Sequence, residues 1–360
     1  MANSFKDKLS LLNDRYDGEK WAHPEIVSEY EGMRNSNAQT TSVYFNMELP
    51  EETRREAAAK AYEGMKAYLS QMASQNPNAP KPEVIMAPGC PEEPDTAVEL
   101  NIYRPLSESK KPRPVLLCAP GGGMYMCSIS GIYQKYAIDY NCVCIVPRYR
   151  TAFEAKYPGA LNDLHAAYKY AIDNAEALNI DPDNIVLQGV SSGSHLILSL
   201  AYRLKRYGYS PRGCLANSTL VDNRPIYRSS NIKTGWDARL QWYSSIQYLG
   251  IENVSSENNP EMYPIYATVE DCIGLCPIFI HTEAEDEGTC AVRAYVDKLI
   301  QAGVYHELHI WGGTCHSALG MAGVMGDSDH ARRYLALMDA NIVDCMKYDL
   351  RRQWIKEIMK

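Results

Sequence analysis

Short apolar runs alternate with helical periods along most of this chain. PVLLCAP (114–120) and NCVCIVP (141–147) are continuous apolar segments; DNIVLQG (183–189), GCLANS (213–218), CPIFIHT (276–282) and YHELHIW (305–311) follow them. Runs of this length predict strands buried on both faces of a parallel sheet. AVELNIYRP (97–105) alternates polar with apolar positions and stops at proline, which predicts one more strand. Between the runs, Leu161, Leu164, Tyr168, Ile172, Ala175 and Leu178 keep a three-to-four spacing. Val292, Tyr295, Val296 and Leu299 do the same and stop at Gly303, and Leu196 to Leu204 is apolar on most sides before Lys205, Arg206 and Gly208. These are helix signals with stops, and strand–helix alternation implies an α/β fold with right-handed crossovers.

Two regions break the alternation. Residues 1–80 offer no strand-like core; 50–72 is helical, with Met65, Tyr68, Leu69 and Met72 along one face. Residues 219–262 are polar, aromatic and irregular. Both read as additions to a sheet domain at 81–360: a helical cap from 1–80 and a further cap or lid segment from 219–262. SQNPNAPKP (74–82) reads as a linker, and no internal repeat is present.

Composition narrows the partners. A hydrophobic share of 46% supports a substantial soluble core, and a net charge of −8 without a basic block excludes nucleic acid as an expected partner. No run of 18 apolar residues and no signal-peptide core at the polar start argue against a membrane and for a cytoplasmic, reducing location. The eleven cysteines lack a C-x-x-C pair, so no metal is expected. Cys118, Cys142 and Cys144 sit in apolar runs as small hydrophobes.

The candidate chemistry begins in QGVSSGSHL (188–196). Gly189 and Gly193 flank Ser191 two residues to each side, so Ser191 and not Ser192 satisfies G-x-S-x-G. A nucleophile on a sharp strand-to-helix turn needs glycines there because side chains would collide with neighbouring backbone. A serine also needs a base, an orienting acid and an oxyanion hole. CAPGGGMY (118–125) places three glycines directly after a strand, where backbone N–H groups can turn toward developing negative charge. Of eight histidines, His23 and His330 lie in polar segments, His165 and His195 on helices, and His281, His306 and His309 at strands. His316 stands in a loop of small residues after the last strand, where an imidazole can reach the carboxyl edge of the sheet. For the acid, Glu283, Glu285, Asp286 and Glu287 are all available, and position alone does not choose among them.

With these residues in place, the chain resembles the α/β-hydrolase superfamily, specifically the hormone-sensitive-lipase-like esterases. YRTAFEAKYPGALNDLHAAYKY (149–170) is similar, without a gap, to that family's Y-R-L-A-P-E-x-x-F-P-A-A stretch, and NIDPDNIVLQGVSSGSHL continues it into the serine. The resemblance spans about residues 83–320. It implies an α/β-hydrolase fold, a mostly parallel sheet flanked by helices. Its T-x-x-x-D pattern and the following L-x-x-A-G implicate Asp286, with Glu285 as the alternative. It implies oxyanion donors at the backbone amides of Gly122, Gly123 and Ser192. The family's H-G-G-G reads Pro120-Gly121-Gly122-Gly123 here; proline removes its own N–H and leaves those donors.

The expected function is therefore hydrolysis of a small or short-acyl carboxylic ester through Ser191, His316 and Asp286, with no cofactor. Met124 and Tyr125 are substrate-contact candidates by position. An amidase, peptidase or formamidase with the same triad is the alternative, as is a non-catalytic small-molecule receptor on the same fold. Some members of the family dimerise, so a homodimer stays open, although no interface is legible in the sequence.

Overall fold

The apolar runs become the inner strands of one eight-stranded sheet, except YHELHIW (305–311), expected to be buried on both faces, which forms an edge strand and is half-buried throughout. A computed structural model describes residues 43–44, 49–70, 78–222, 247–249, 259–284, 286, 288–314, 316, 329–350, 353–354 and 356. The strands are β1 (Glu83–Ala87), β2 (Val98–Tyr103), β3 (Arg113–Ala119), β4 (Val143–Pro147), β5 (Ile180–Val190), β6 (Gly213–Asn217), β7 (Ile278–Glu283) and β8 (His306–Trp311). Their order is β1-β2-β4-β3-β5-β6-β7-β8. From β4 to β8 every pairing is parallel, and β1 and β2 join antiparallel at one edge.

The helices are α1 (Glu51–Ser70), α2 (Ile132–Asp139), α3 (Gly159–Asp173), α4 (Ala175–Leu178), α5 (Ser192–Arg206), α6 (Val269–Cys272), α7 (Thr289–Gln301) and α8 (Asp329–Lys347). Strand periodicity sorts the side chains into two layers. Val115, Leu117, Leu187, Cys214, Ala216, Ile278 and Ile280 face α3, α5 and α7. Leu116, Cys118, Val186, Leu215 and Phe279 face α2 and α8. This two-faced burial is why the runs are continuous rather than alternating. The described cysteines are all free, and all but Cys290 are buried.

Four elements were not among the expected ones: β1, α2, α6 and α8. β1 is an edge strand whose short apolar run, Val84 to Ala87, is largely exposed, with Val84 57% and Met86 62% exposed. His330, read as part of a polar segment, lies in α8, which buries Ala331, Tyr334, Met338, Ile342 and Cys345 at helical spacing. That spacing was available in the sequence. Among the described residues, no helix is long and apolar enough to cross a membrane.

The two proposed cap segments are only partly within the described residues. α1 packs through Ala58, with Ala57, Ala61 and Tyr62, on Tyr44, Tyr125, Met126 and Phe153. Met65, Tyr68, Leu69 and Met72, expected to form the packing face, lie outside the residues whose side chains are described. Of 219–262, Val221, Tyr248, Leu249 and Met262 belong to the main core, and residues 223–246 and 250–258 are outside the description. The buried Arg54 joins α1 to this segment by donating to Gln247 Oε1 at 2.7 Å.

Candidate active site

β5 and α5 meet at Ser191, which adopts φ 56° and ψ −124°. A left-handed backbone at a non-glycine residue carries strain, here held by the elements on either side. The Ser191 N–H donates to the Asn217 carbonyl of the adjacent strand at 2.9 Å, and its own carbonyl accepts from Ser194 N–H at 2.9 Å. The flanking glycines answer to crowding. A Cβ on Gly189 would stand 2.3 Å from the Gly193 carbonyl oxygen, and one on Gly193 2.0 Å from that of Ala119. Neither position has room for any side chain.

The turn aims Ser191 Oγ at His316 Nε2, 2.8 Å away. His316 Nδ1 is hydrogen-bonded to Asp286 Oδ2, and Asp286 Oδ1 accepts the Gly288 N–H at 2.8 Å. All three side chains are buried. Burial opposes charge on the imidazole, but the charge and hydrogen bond of Asp286 outweigh it and hold His316 above its ordinary 6.5. The other candidate acids divide. Glu283 is also buried here, while Glu285 and Glu287 lie outside the described residues. Burial, then the Asp286 charge, pushes the Glu283 carboxyl well above 4.5.

The glycine loop lies against the nucleophile turn. A Cβ on Gly121 would be 3.4 Å from Ser191 Cβ, and Gly122 and Gly123 both have positive φ, 141° and 62°. Ser192 opens α5, so its N–H belongs to the helix end where intrahelical acceptors are missing and partial positive charge collects. Tyr149 was not singled out as a site residue, although it opens the Y-R stretch. Its fully buried hydroxyl donates to the Pro120 carbonyl at 2.8 Å and also approaches that of Met126 at 3.1 Å. Arg150 then anchors the chain with paired bonds to Glu93 and Asp163.

Met124 and Tyr125 are both 3% exposed. Met124 belongs to the main core, and Tyr125 packs edge-on to Phe153 and tilted on Tyr44, with ring centroids 5.2 and 5.6 Å away. His165, His195 and His281 are engaged elsewhere, with Glu92, the Met262 carbonyl, and Trp311 plus Asn341. Among the described residues, two side-chain groups have metal-donor proximity, Cys90–Glu92–His165 and Glu283–Asp286–His316. In the first, Tyr207, Arg203 and Arg206 surround Glu92, and two guanidiniums oppose a dication. In the second, Asp286 and Ser191 occupy both nitrogens of His316.

The sequence matches two family profiles: the α/β hydrolase fold over residues 116–320 and the carboxylesterase family over 16–209. An AB hydrolase superfamily protein of Schizosaccharomyces pombe is 25% identical over 64% of this chain and 71% of its own length. Esterase LipU of Mycobacterium tuberculosis is 25% identical over 62% of this chain and 76% of its own. Among solved structures, a bacterial heroin esterase superposes with a TM-score of 0.71 at 24% identity, covering 82% of this chain and 93% of that one. A thermostable esterase from Pseudomonas putida reaches 0.76 at 17% identity, over 92% and 100%. The elbow, the sheet that carries it and a profile match across more than half of the sequence agree, and this chain belongs to the α/β hydrolase fold family.

Proposed function

We propose that this protein hydrolyses small or short-acyl carboxylic esters through a serine acyl-enzyme. The observation that carries the reading is the Ser191 Oγ to His316 Nε2 contact at 2.8 Å, backed by Asp286 on the other ring nitrogen. A serine hydroxyl is a weak nucleophile at neutral pH, and a neutral imidazole at this distance is the base it needs. His316 takes the Ser191 proton as Oγ bonds to the ester carbonyl carbon. The amides of Gly122, Gly123 and Ser192 receive the oxyanion. The carbon–oxygen bond to the alcohol then breaks, and His316 returns the proton to the departing oxygen. Water, activated by the same imidazole, attacks the acyl-enzyme and frees Ser191. Asp286 fixes the Nδ1–H tautomer and stabilises the imidazolium.

The carboxylesterase profile and the names of the relatives favour an ester over an amide. Tyr125, two residues after Gly123, is fixed by Tyr44 and Phe153, and as a wall of the site it favours a short acyl group. α1 and the segment around Gln247 serve as a cap over this side, and Met124 and Tyr125 act as packed walls. Ser191→Ala should abolish hydrolysis of p-nitrophenyl acetate, a loss on the order of 10⁶ in turnover. Full activity in that variant removes the proposal. A wild-type protein that binds but never turns over esters or amides would be a receptor, and a preference for anilides over matched esters would make it an amidase.

A further inference from the structure

Glu283 ends β7 three residues before Asp286, so two carboxyl groups stand at one imidazole. A carboxyl oxygen of each and a ring nitrogen of His316 all lie within 4.8 Å of one another. Glu283 Oε1 accepts the Ser218 hydroxyl at 2.6 Å, and Oε2 has no hydrogen-bond partner among the described residues. Ser218 makes that bond from a left-handed backbone, φ 46°, directly after β6. Strain at a non-glycine residue beside an active centre points to a position worth holding. Besides Asp286 and His316, the buried Tyr334 phenol on α8 is near enough for the Glu283 charge to raise it. No lysine or arginine among the described residues pairs with it.

Two adjacent buried carboxyls do not both ionise beside one imidazole without large cost. Asp286 holds the Nδ1 bond, and Glu283 keeps its proton. Because Ser218 donates to Oε1, the proton sits on Oε2. Resting on the hydrolase reading above, we propose that Glu283 is a positioning residue, a reserve carboxyl that supplies the counter-charge of His316 whenever Asp286 is neutral or absent. Its Oε2–H proton then passes to water, and the freed carboxylate accepts the His316 Nδ1–H. The repulsion from Asp286, second to burial in keeping Glu283 in its acid form, disappears in the same event, and the His316 charge then favours the carboxylate. The longer glutamate side chain spans the remaining gap.

The test is a cycle of kcat/KM values for wild type, Asp286→Ala, Glu283→Gln and the double variant, with Ser191→Ala alongside. Glu283→Gln should cost less than ~3-fold in the wild-type background and ~10-fold or more in the Asp286→Ala background. A purely structural role costs the same factor in both backgrounds, and equal factors overturn the proposal. If Glu283→Gln does not fold, Ser218→Ala is put through the same cycle, with the larger loss again expected beside Asp286→Ala and equal losses again overturning. An active Ser191→Ala would sink the hydrolase reading itself. An inactive Ser191→Ala with equal factors overturns the role of Glu283 alone.

Discussion

The Tyr149 hydroxyl donates to the Pro120 carbonyl oxygen at 2.8 Å, tying the strand-end loop of the glycines to the segment after β4. Proline stands where the resembled family has a histidine, so a donor from another part of the chain supports this loop. Tyr149→Phe removes that donor and leaves the buried Pro120 carbonyl without it. Stability should fall by about 1–3 kcal/mol. Turnover should fall by ~10-fold, less than the ~10²–10³ for losing an oxyanion donor itself. KM should change little, because on the proposed mechanism the loop acts on the transition state rather than the ground state. Thermal unfolding and steady-state kinetics on one short-chain ester check both.

The environment of His316 sets the pH dependence. On the proposed mechanism the neutral imidazole is the base, and Asp286 holds its pKa above 6.5 against the opposing effect of burial. The acid limb of kcat/KM should therefore lie above that value. Asp286→Asn should move the limb of the residual activity downward, because the largest charge opposing burial is gone and only Glu283 remains to counter it. The stability sign follows from the same shift. The bonus from protonated His316 is fully present at pH values below the unfolded pKa and is lost as pH rises through the folded one. A pH–rate profile with its limb below 6.5 in the wild type would contradict the reading.

Arg54 crosses from α1 to Gln247, its guanidinium lying 5.8 Å from the centre of the Phe153 ring. Arg54→Ala strands Gln247 Oε1 in a buried place and should cost about 1–3 kcal/mol. Because the change is remote from Ser191, hydrolysis of the smallest ester should fall less than hydrolysis of longer acyl chains, whose fit depends on the wall of Tyr125 and Phe153. An acyl-length series on wild type and variant reads this out. Equal losses at every chain length would separate α1 from substrate selection.

Much of the central architecture was legible because it is local. A strand buried on both faces has to be apolar throughout, as PVLLCAP (114–120) is, and G-V-S-S-G declares a turn with no space beside the serine. β1 was not read because its run, Val84 to Ala87, is only four residues long and ends at Pro88. α8 was legible in Tyr334, Met338 and Ile342, a spacing left unread. The acid was open among four residues on position alone, since all lie within residues 283–287 at the end of β7.

By itself, then, the sequence determined the periodicities, the elbow around Ser191 and the loop that carries His316, since each is written in contiguous residues. Tertiary structure decided the strand order, the Tyr149 support under the glycine loop, and the placing of both Asp286 and Glu283 at one imidazole. Those relationships join residues separated by tens of positions, and only the closing of the sheet sets the distances between them.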